Sequence, residues 1–137
     1  MGYTFMIGQA ALLVPEKSEC DEIAALRVHV AKVVRVPDAP GGWNRLDVGC
    51  AWWSHSMRIA GLDDILADKG AYNPPPLLMP HHPGAAMLAP SHLARFEDAH
   101  ARCVAAGYAD VAEATAWLVW WTRWALDNCK IPTLANR

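Results

Sequence analysis

D-V-A-E-A-T-A-W-L-V-W-W-T-R-W-A-L-D-N, residues 110–128, is the stretch on which the fold turns. Trp117, Trp120, Trp121 and Trp124 recur at i, i+3, i+4 and i+7, one stripe of an α-helix. Ala114, Leu118, Ala125 and Leu126 widen the apolar arc, and only Glu113, Arg123 and Asp127 interrupt one flank. A helix apolar over most of its circumference is a buried helix. Four buried indoles remove on the order of 800 Å² from water, about 20 kcal/mol gross at ~25 cal/mol per Å², an upper bound before entropy. The stripe is therefore expected to be the spine of the core, with each buried indole N–H given an acceptor. A functional role is confined to its edge, where Trp120, Arg123 and Trp124 can meet a ligand or partner through cation–π contact or anion pairing. Asp110 and Glu113 have capping-box spacing, with Asp in place of Ser or Thr, and predict the helix start. Lys130 and Pro132 suit its end.

Working outward, residues 3–14 are rich in aromatic and β-branched side chains and predict a strand ended by Pro15. Residues 26–36 alternate loosely, with Leu26, Val28 and Val30 on one side and Arg27 and His29 on the other. The apolar phase shifts at Val33 and Val34, which predicts a bulge or burial of both faces. The two strands predict an antiparallel hairpin with a long loop, marginal unless helices cover it. Residues 37–42 are a breaker. Asp47 predicts a helix cap, with the helix running to Ala60 and stopped by Gly61. Its apolar face reads Val48, Trp52, His55 and Ile59, beside a strip of Trp53, Met57 and Ala60. A short helix over residues 62–68 would follow, ending at Gly70. Six prolines between Asn73 and Pro90 forbid regular helix or a central strand there. That stretch predicts an extended wrap, packed down by Leu77, Leu78, Met79, Met87 and Leu88. Ser91 predicts the cap of a helix to Ala106, stopped by Gly107. The expectation is an α+β fold in a single domain spanning residues 1–137. An N-terminal antiparallel β-hairpin packs on three to four α-helices, with a proline-rich extended segment.

The apolar share is 53% and the charged share 19%, which excludes a disordered chain and allows a real core. Net charge is −2 and no run of Lys or Arg appears, so no nucleic-acid partner is expected. Cys20, Cys50, Cys103 and Cys129 form no C-x-x-C pair, so a zinc ribbon is excluded. Residues 1–14 lack a basic leader region and a cleavage site, and no apolar run reaches membrane-spanning length. A cytosolic protein with free thiols and no membrane partner is expected.

The polar constellations are sparse. His81 and His82 lie in the proline-rich segment. His92 and His100 share a helix face with Phe96, Ala99 and Cys103. Eight residues of helix separate the two histidines by ~12 Å, too far to bind one metal ion directly. Glu97 and His100 make an E-x-x-H pair, but a di-iron site needs a second pair and two further glutamates, which the sequence lacks. A mixed zinc site from His82, His100 and Cys103 is chemically allowed; otherwise no cofactor is expected. A Cys103–His100 thiolate–imidazole pair competes with simple packing of the thiol. His55 reads as a core histidine, or as a base if a partner stands beside it. Arg45 and Arg58 read as salt-bridge partners of Asp47, Asp63 or Asp64, as a buried arginine gripping carbonyls of the proline-rich loop, or as an anion pocket if they converge.

Four pieces occur in order: G-Y-T-F-M-I-G at residues 2–8, W-S-H-S-M-R-I-A-G-L at 53–62, H-P-G at 82–84 followed by His92, and G-Y at 107–108 followed by A-W-L-V-W-W-T-R-W-A-L-D-N-C ending at Cys129. In this order they resemble a group of small uncharacterised proteins encoded by tailed bacteriophages and prophages. The resemblance implies a phage origin and action in the bacterial host cytoplasm, or within the virion; it carries over no catalytic residue. The expected function is a phage accessory protein acting by protein–protein interaction, inhibiting a host or defence factor, with a host or phage protein as partner and homo-oligomer formation left open. The alternatives are a small metal- or ligand-binding enzyme with a His-lined site and a minor virion component. The candidate ligand or partner surface comprises Arg58, His82, His92, His100, Trp120, Arg123 and Trp124.

Overall fold

Apolar residues on both faces of the N-terminal strand place it at the heart of a sheet. The computed structural model describes residues 2–12, 28–30, 32–63, 65–66 and 84–136. Strand β1 (Gly2–Leu12) turns Phe5 and Ile7 into the main core and Met6 to the opposite face, where it joins Val30 and Ala135. Strand β2 (Val28–Val30) pairs antiparallel with the far end of β1, Ala10 opposite Val30, which is the expected hairpin. Strand β3 (Arg45–Gly49) pairs with the near end, Gly2 opposite Gly49. The other edge of β1 takes β5 (Pro132–Asn136), and β4 (Gly84–Met87) pairs outside β5. The order is β2-β1-β5-β4, with β3 on the same edge of β1 as β2. Helices α1 (Cys50–Ile59), α2 (Pro90–Ala106) and α3 (Ala109–Asn128) contribute to the main core with Phe5, Ile7 and Leu134. The fold is α+β, as expected. The hairpin loop, Cys20 and the proline-rich run with His81 and His82 lie outside the described residues; Gly84–Met87 is the part seen as strand.

Several boundaries differ from the expectation. Asp47 lies in β3 opposite Thr4 and caps no helix. The Thr4 hydroxyl donates to its Oδ1 at 2.7 Å and Arg45 pairs with it at 3.3 Å. The Thr4 hydrogen bond, aided by Arg45, outweighs partial desolvation and holds the Asp47 carboxyl below the usual carboxylate range. Helix α1 therefore starts at Cys50, and its face is rotated from the expected one. Trp53, Ser56, Met57 and Ala60 are buried, while Trp52, His55 and Ile59 are exposed. After Gly61, the N–H groups of Ile65 and Leu66 donate to the Leu62 carbonyl in a turn that buries all three side chains. Asp68 and Gly70, the rest of the expected short helix, lie outside the described residues. Ser91 is not the cap of α2. Ala89 is, followed by Pro90, which suits the first helical position because its missing N–H would be unpaired there anyway. The Ala89 N–H instead donates to the His92 ring Nδ1 at 3.0 Å. Gly107 ends α2 in the left-handed conformation at φ 79°, where an L side chain would be strained. Asp110 is inside α3, in its first turn. Strand β5 was not anticipated, although all of its residues are buried.

The tryptophan stripe splits. Trp117 and Trp121 are buried, and Trp120 and Trp124 are half-buried against the same core. Trp121 meets Trp120 and Trp124 edge to face, with ring centres 4.7 and 5.3 Å apart. Phe5 packs on Trp53 at 4.3 Å. Trp117 Nε1 donates to the Trp43 carbonyl at 2.9 Å, as an indole should. The Nε1 atoms of Trp53 and Trp121 find no acceptor among the described residues, contrary to expectation. Burying one indole contributes about 5 kcal/mol gross, against about 1–3 kcal/mol for an orphaned donor, so packing wins.

Asn44, fully buried, joins β1 to the loop that precedes β3. Its side-chain amide donates to the carbonyls of Ile7 (3.0 Å) and Lys32 (2.9 Å), and its Oδ1 accepts from the Val34 N–H at 2.8 Å. Its backbone bonds Ile7 and Val34 as well. Gly8 makes room beside it: a Cβ there would stand 2.9 Å from Val30 Cγ1 and 3.4 Å from Asn44 Nδ2.

Replacing Asn44→Ala strands two carbonyls and one N–H, and at about 1–3 kcal/mol per buried group it should cost about 3 kcal/mol or more in urea-induced unfolding. Trp121→Ala should cost about 3–5 kcal/mol in the same assay and Trp124→Ala about half that, since only the former indole is fully enclosed. Equal losses for the two tryptophans would contradict the split.

Candidate functional site

The described surface is indented by a cleft of about 630 Å³ between the 37–42 loop, β3, the start of α1 and the first half of α3. This size is within the range of ligand and peptide pockets. Its walls include Leu46, Val48, Trp52, Ala114 and Trp117, with Pro40 and Gly41 from the loop and Asp110, Glu113 and Ala116 from α3. The walls follow from local sequence. Alternation in β3 directs Leu46 and Val48 to one side while Arg45 and Asp47 point to the other. The spacing of Asp110, Glu113, Ala114 and Trp117 puts them on one face of α3. Trp52 is 39% exposed because α1 buries Trp53 instead.

Three hydrogen bonds brace this arrangement. The Trp117–Trp43 hydrogen bond ties the end of the loop to α3. The C-terminal end of α1 is held by α2: Arg102 Nη2 donates to the Ala60 carbonyl and Arg95 Nη2 to the Gly61 carbonyl, each at 3.0 Å. Guanidinium groups at the last carbonyls of a helix satisfy unpaired acceptors and oppose the negative end of its dipole. Arg102 also pairs with Asp98 one turn away, at 3.6 Å.

Of the candidate surface residues, Arg58, His92, His100, Trp120, Arg123 and Trp124 do not line the cleft. His92 is buried at the start of α2, with Nδ1 engaged by the Ala89 N–H. His100 points across to α3, its Nδ1 3.0 Å from the Ala112 carbonyl and 3.1 Å from Thr115 Oγ1. A carbonyl only accepts, so Nδ1 carries the hydrogen in that contact. Arg123 pairs with Glu97 at 3.6 Å, which turns the glutamate of the E-x-x-H motif toward a cation on α3. Trp120 and Trp124 lie along the half-buried edge of the stripe. Arg58 is exposed on α1, and Arg45 is engaged with Asp47 in β3. His82 lies outside the described residues, and with it the proposed zinc set of His82, His100 and Cys103. Among the described residues no group of three metal-ligating side chains stands together.

The cleft itself was missed. Its signal is the Asp110–Glu113 spacing, which predicts a cap but equally places two carboxylates on one helical face. Leu46 and Val48 were hidden by the mistaken start of α1.

No protein-family model matches the chain, and neither the curated proteins nor the solved structures include a match to it.

Cys103 is buried in the α2–α3 packing, and desolvation, only partly offset by the nearby Arg102, pushes its thiol above the ordinary value. Burial does the same to Cys129. Both are thereby less nucleophilic at neutral pH. In peptide-resolved labelling of the native protein with a maleimide at pH 7.5, Cys103 should remain unmodified long after the unfolded chain has fully reacted. Rapid labelling of Cys103 in the folded protein would restore the thiolate–imidazole reading.

Proposed function

We propose that the protein is a binding module acting through protein–protein contact, with the cleft between the 37–42 loop and α3 as its contact surface. The observation that carries this reading is an open, largely apolar cleft beside a partly exposed tryptophan. Aromatic anchors in such depressions dominate the energetics of protein interfaces. Trp43, 46% exposed, adds a second indole on the loop whose carbonyl meets Trp117. Within the same proposal, the resemblance to phage and prophage proteins makes the module an accessory protein working in a bacterial host cytoplasm on a host or defence factor.

A photo-crosslinking phenylalanine analogue at Ala116, on the cleft wall, should capture one discrete protein from a bacterial host lysate. The same group at Val104, exposed on α2, should not. Indistinguishable labelling from the two positions would reject the cleft as the contact surface. Finding the protein stoichiometrically in purified virions would favour a structural role instead.

A further inference from the structure

We infer that the cleft recognises a basic side chain of its partner, arginine above lysine, with the apolar stem on the cleft wall and the charged head at the first turn of α3. The inference rests on the docking role proposed above and adds the chemistry of the occupant.

Three observations support it. Among the described residues the charge lining the cleft is of one sign: Asp110 and Glu113 contribute carboxylates, and no described lysine, arginine or histidine lines it. Asp38 is exposed in the same loop that contributes Pro40 and Gly41. The positive end of the α3 dipole, equivalent to about half a charge, is smaller than the two carboxylates and leaves the first turn net negative. The apolar part of the cleft is also of the right kind. Leu46, Val48 and Ala114 line the cleft with methyl and methylene surface suited to a flexible stem, and the Trp52 indole in the same wall is a ring of the type that attracts cations. A carboxylate pair beside an aromatic wall favours guanidinium, which is planar, weakly hydrated and able to stack while it donates several hydrogen bonds. Finally, the chain makes this contact within itself: the Arg35 guanidinium lies 5.7 Å from the Trp43 ring centre.

The test uses the whole protein, isotope-labelled for NMR, and two capped tripeptides, Ac-Gly-Arg-Gly-NH2 and its citrulline counterpart. Citrulline keeps the shape of arginine and removes its charge. The arginine peptide should shift the Trp52 indole signal and the backbone signals of Glu113, Ala114 and Ala116. The citrulline peptide should bind roughly tenfold more weakly, and added salt should weaken the arginine peptide alone. The double variant Asp110→Asn, Glu113→Gln should lose the preference for arginine over citrulline. Both residues are exposed, so an unchanged thermal unfolding curve verifies that the fold is intact. Trp52→Ala should weaken both peptides. Equal binding of the two peptides, shifts mapping away from the cleft, or no shift at tens of millimolar peptide would overturn the inference. If the peptides fail while crosslinking from Ala116 still captures a discrete partner, the docking role stands and the basic side chain is wrong. If both fail, the docking role falls with it.

Discussion

One edge of β1 has two neighbours, and Asn44 fills the step between them. β3 covers Gly2 to Met6 and β2 covers Ala10 to Leu12, which leaves the peptide groups of Ile7 in the interval. Buried peptide groups need partners, and water is excluded at this position. Asn44 supplies both: its backbone carbonyl accepts from the Ile7 N–H, and its side chain donates to the Ile7 carbonyl. The same side chain holds the loop at Lys32 and Val34. An amide side chain offers donors and an acceptor in the geometry of a peptide group, so it stands in for the missing strand residue. A carboxylate could accept but not donate, and a leucine could do neither.

The cleft inherits its shape from that junction. Fixing Asn44 fixes its neighbour Trp43, whose carbonyl receives Trp117 from α3. The 37–42 loop is thereby held at both ends, by the Asn44 network and by the Arg35–Trp43 bridge. On the opposite wall, two arginines of α2 hold the end of α1 and so fix the helix that presents Trp52. A cleft braced on both walls in this way is preorganised, so an occupant would cost it little ordering entropy.

The elements legible in the sequence were those with long periodic patterns or strong terminators. The α3 stripe, the α2 stop at Gly107 and the apolar β1 fall in this group. The start of α1 was misplaced because D-V-G-C reads equally as a cap and as a strand end, and only Thr4 across the sheet decides between them. β5 was illegible because P-T-L-A-N is short, begins with proline and carries no alternation; it is a strand because β1 and β4 flank it. The candidate cleft is hard to read from the sequence for a related reason. Histidines and arginines draw attention as chemistry, yet here His92, His100, Arg95 and Arg102 are spent on helix ends and helix contacts. The cleft is built from small and aliphatic side chains, two tryptophans and two acids, whose convergence from the 37–42 loop, β3, α1 and α3 no local pattern encodes.

The position of β5 also governs how this chain can assemble. Phe5 pairs with Asn136, so the strand at the centre of the sheet joins residues from opposite ends of the sequence. Among the described strands, β1 can hold only β2 and β3 while α3 is still being made, and β4 lacks its ladder partner β5. The sheet closes when the stretch after α3 has emerged and inserts between two waiting edges. Such a long-range closure raises the contact order and slows folding relative to the local α2–α3 hairpin. Until it occurs, the edges of β1 and β4 that β5 covers stay unpaired, and open strand edges are prone to self-association.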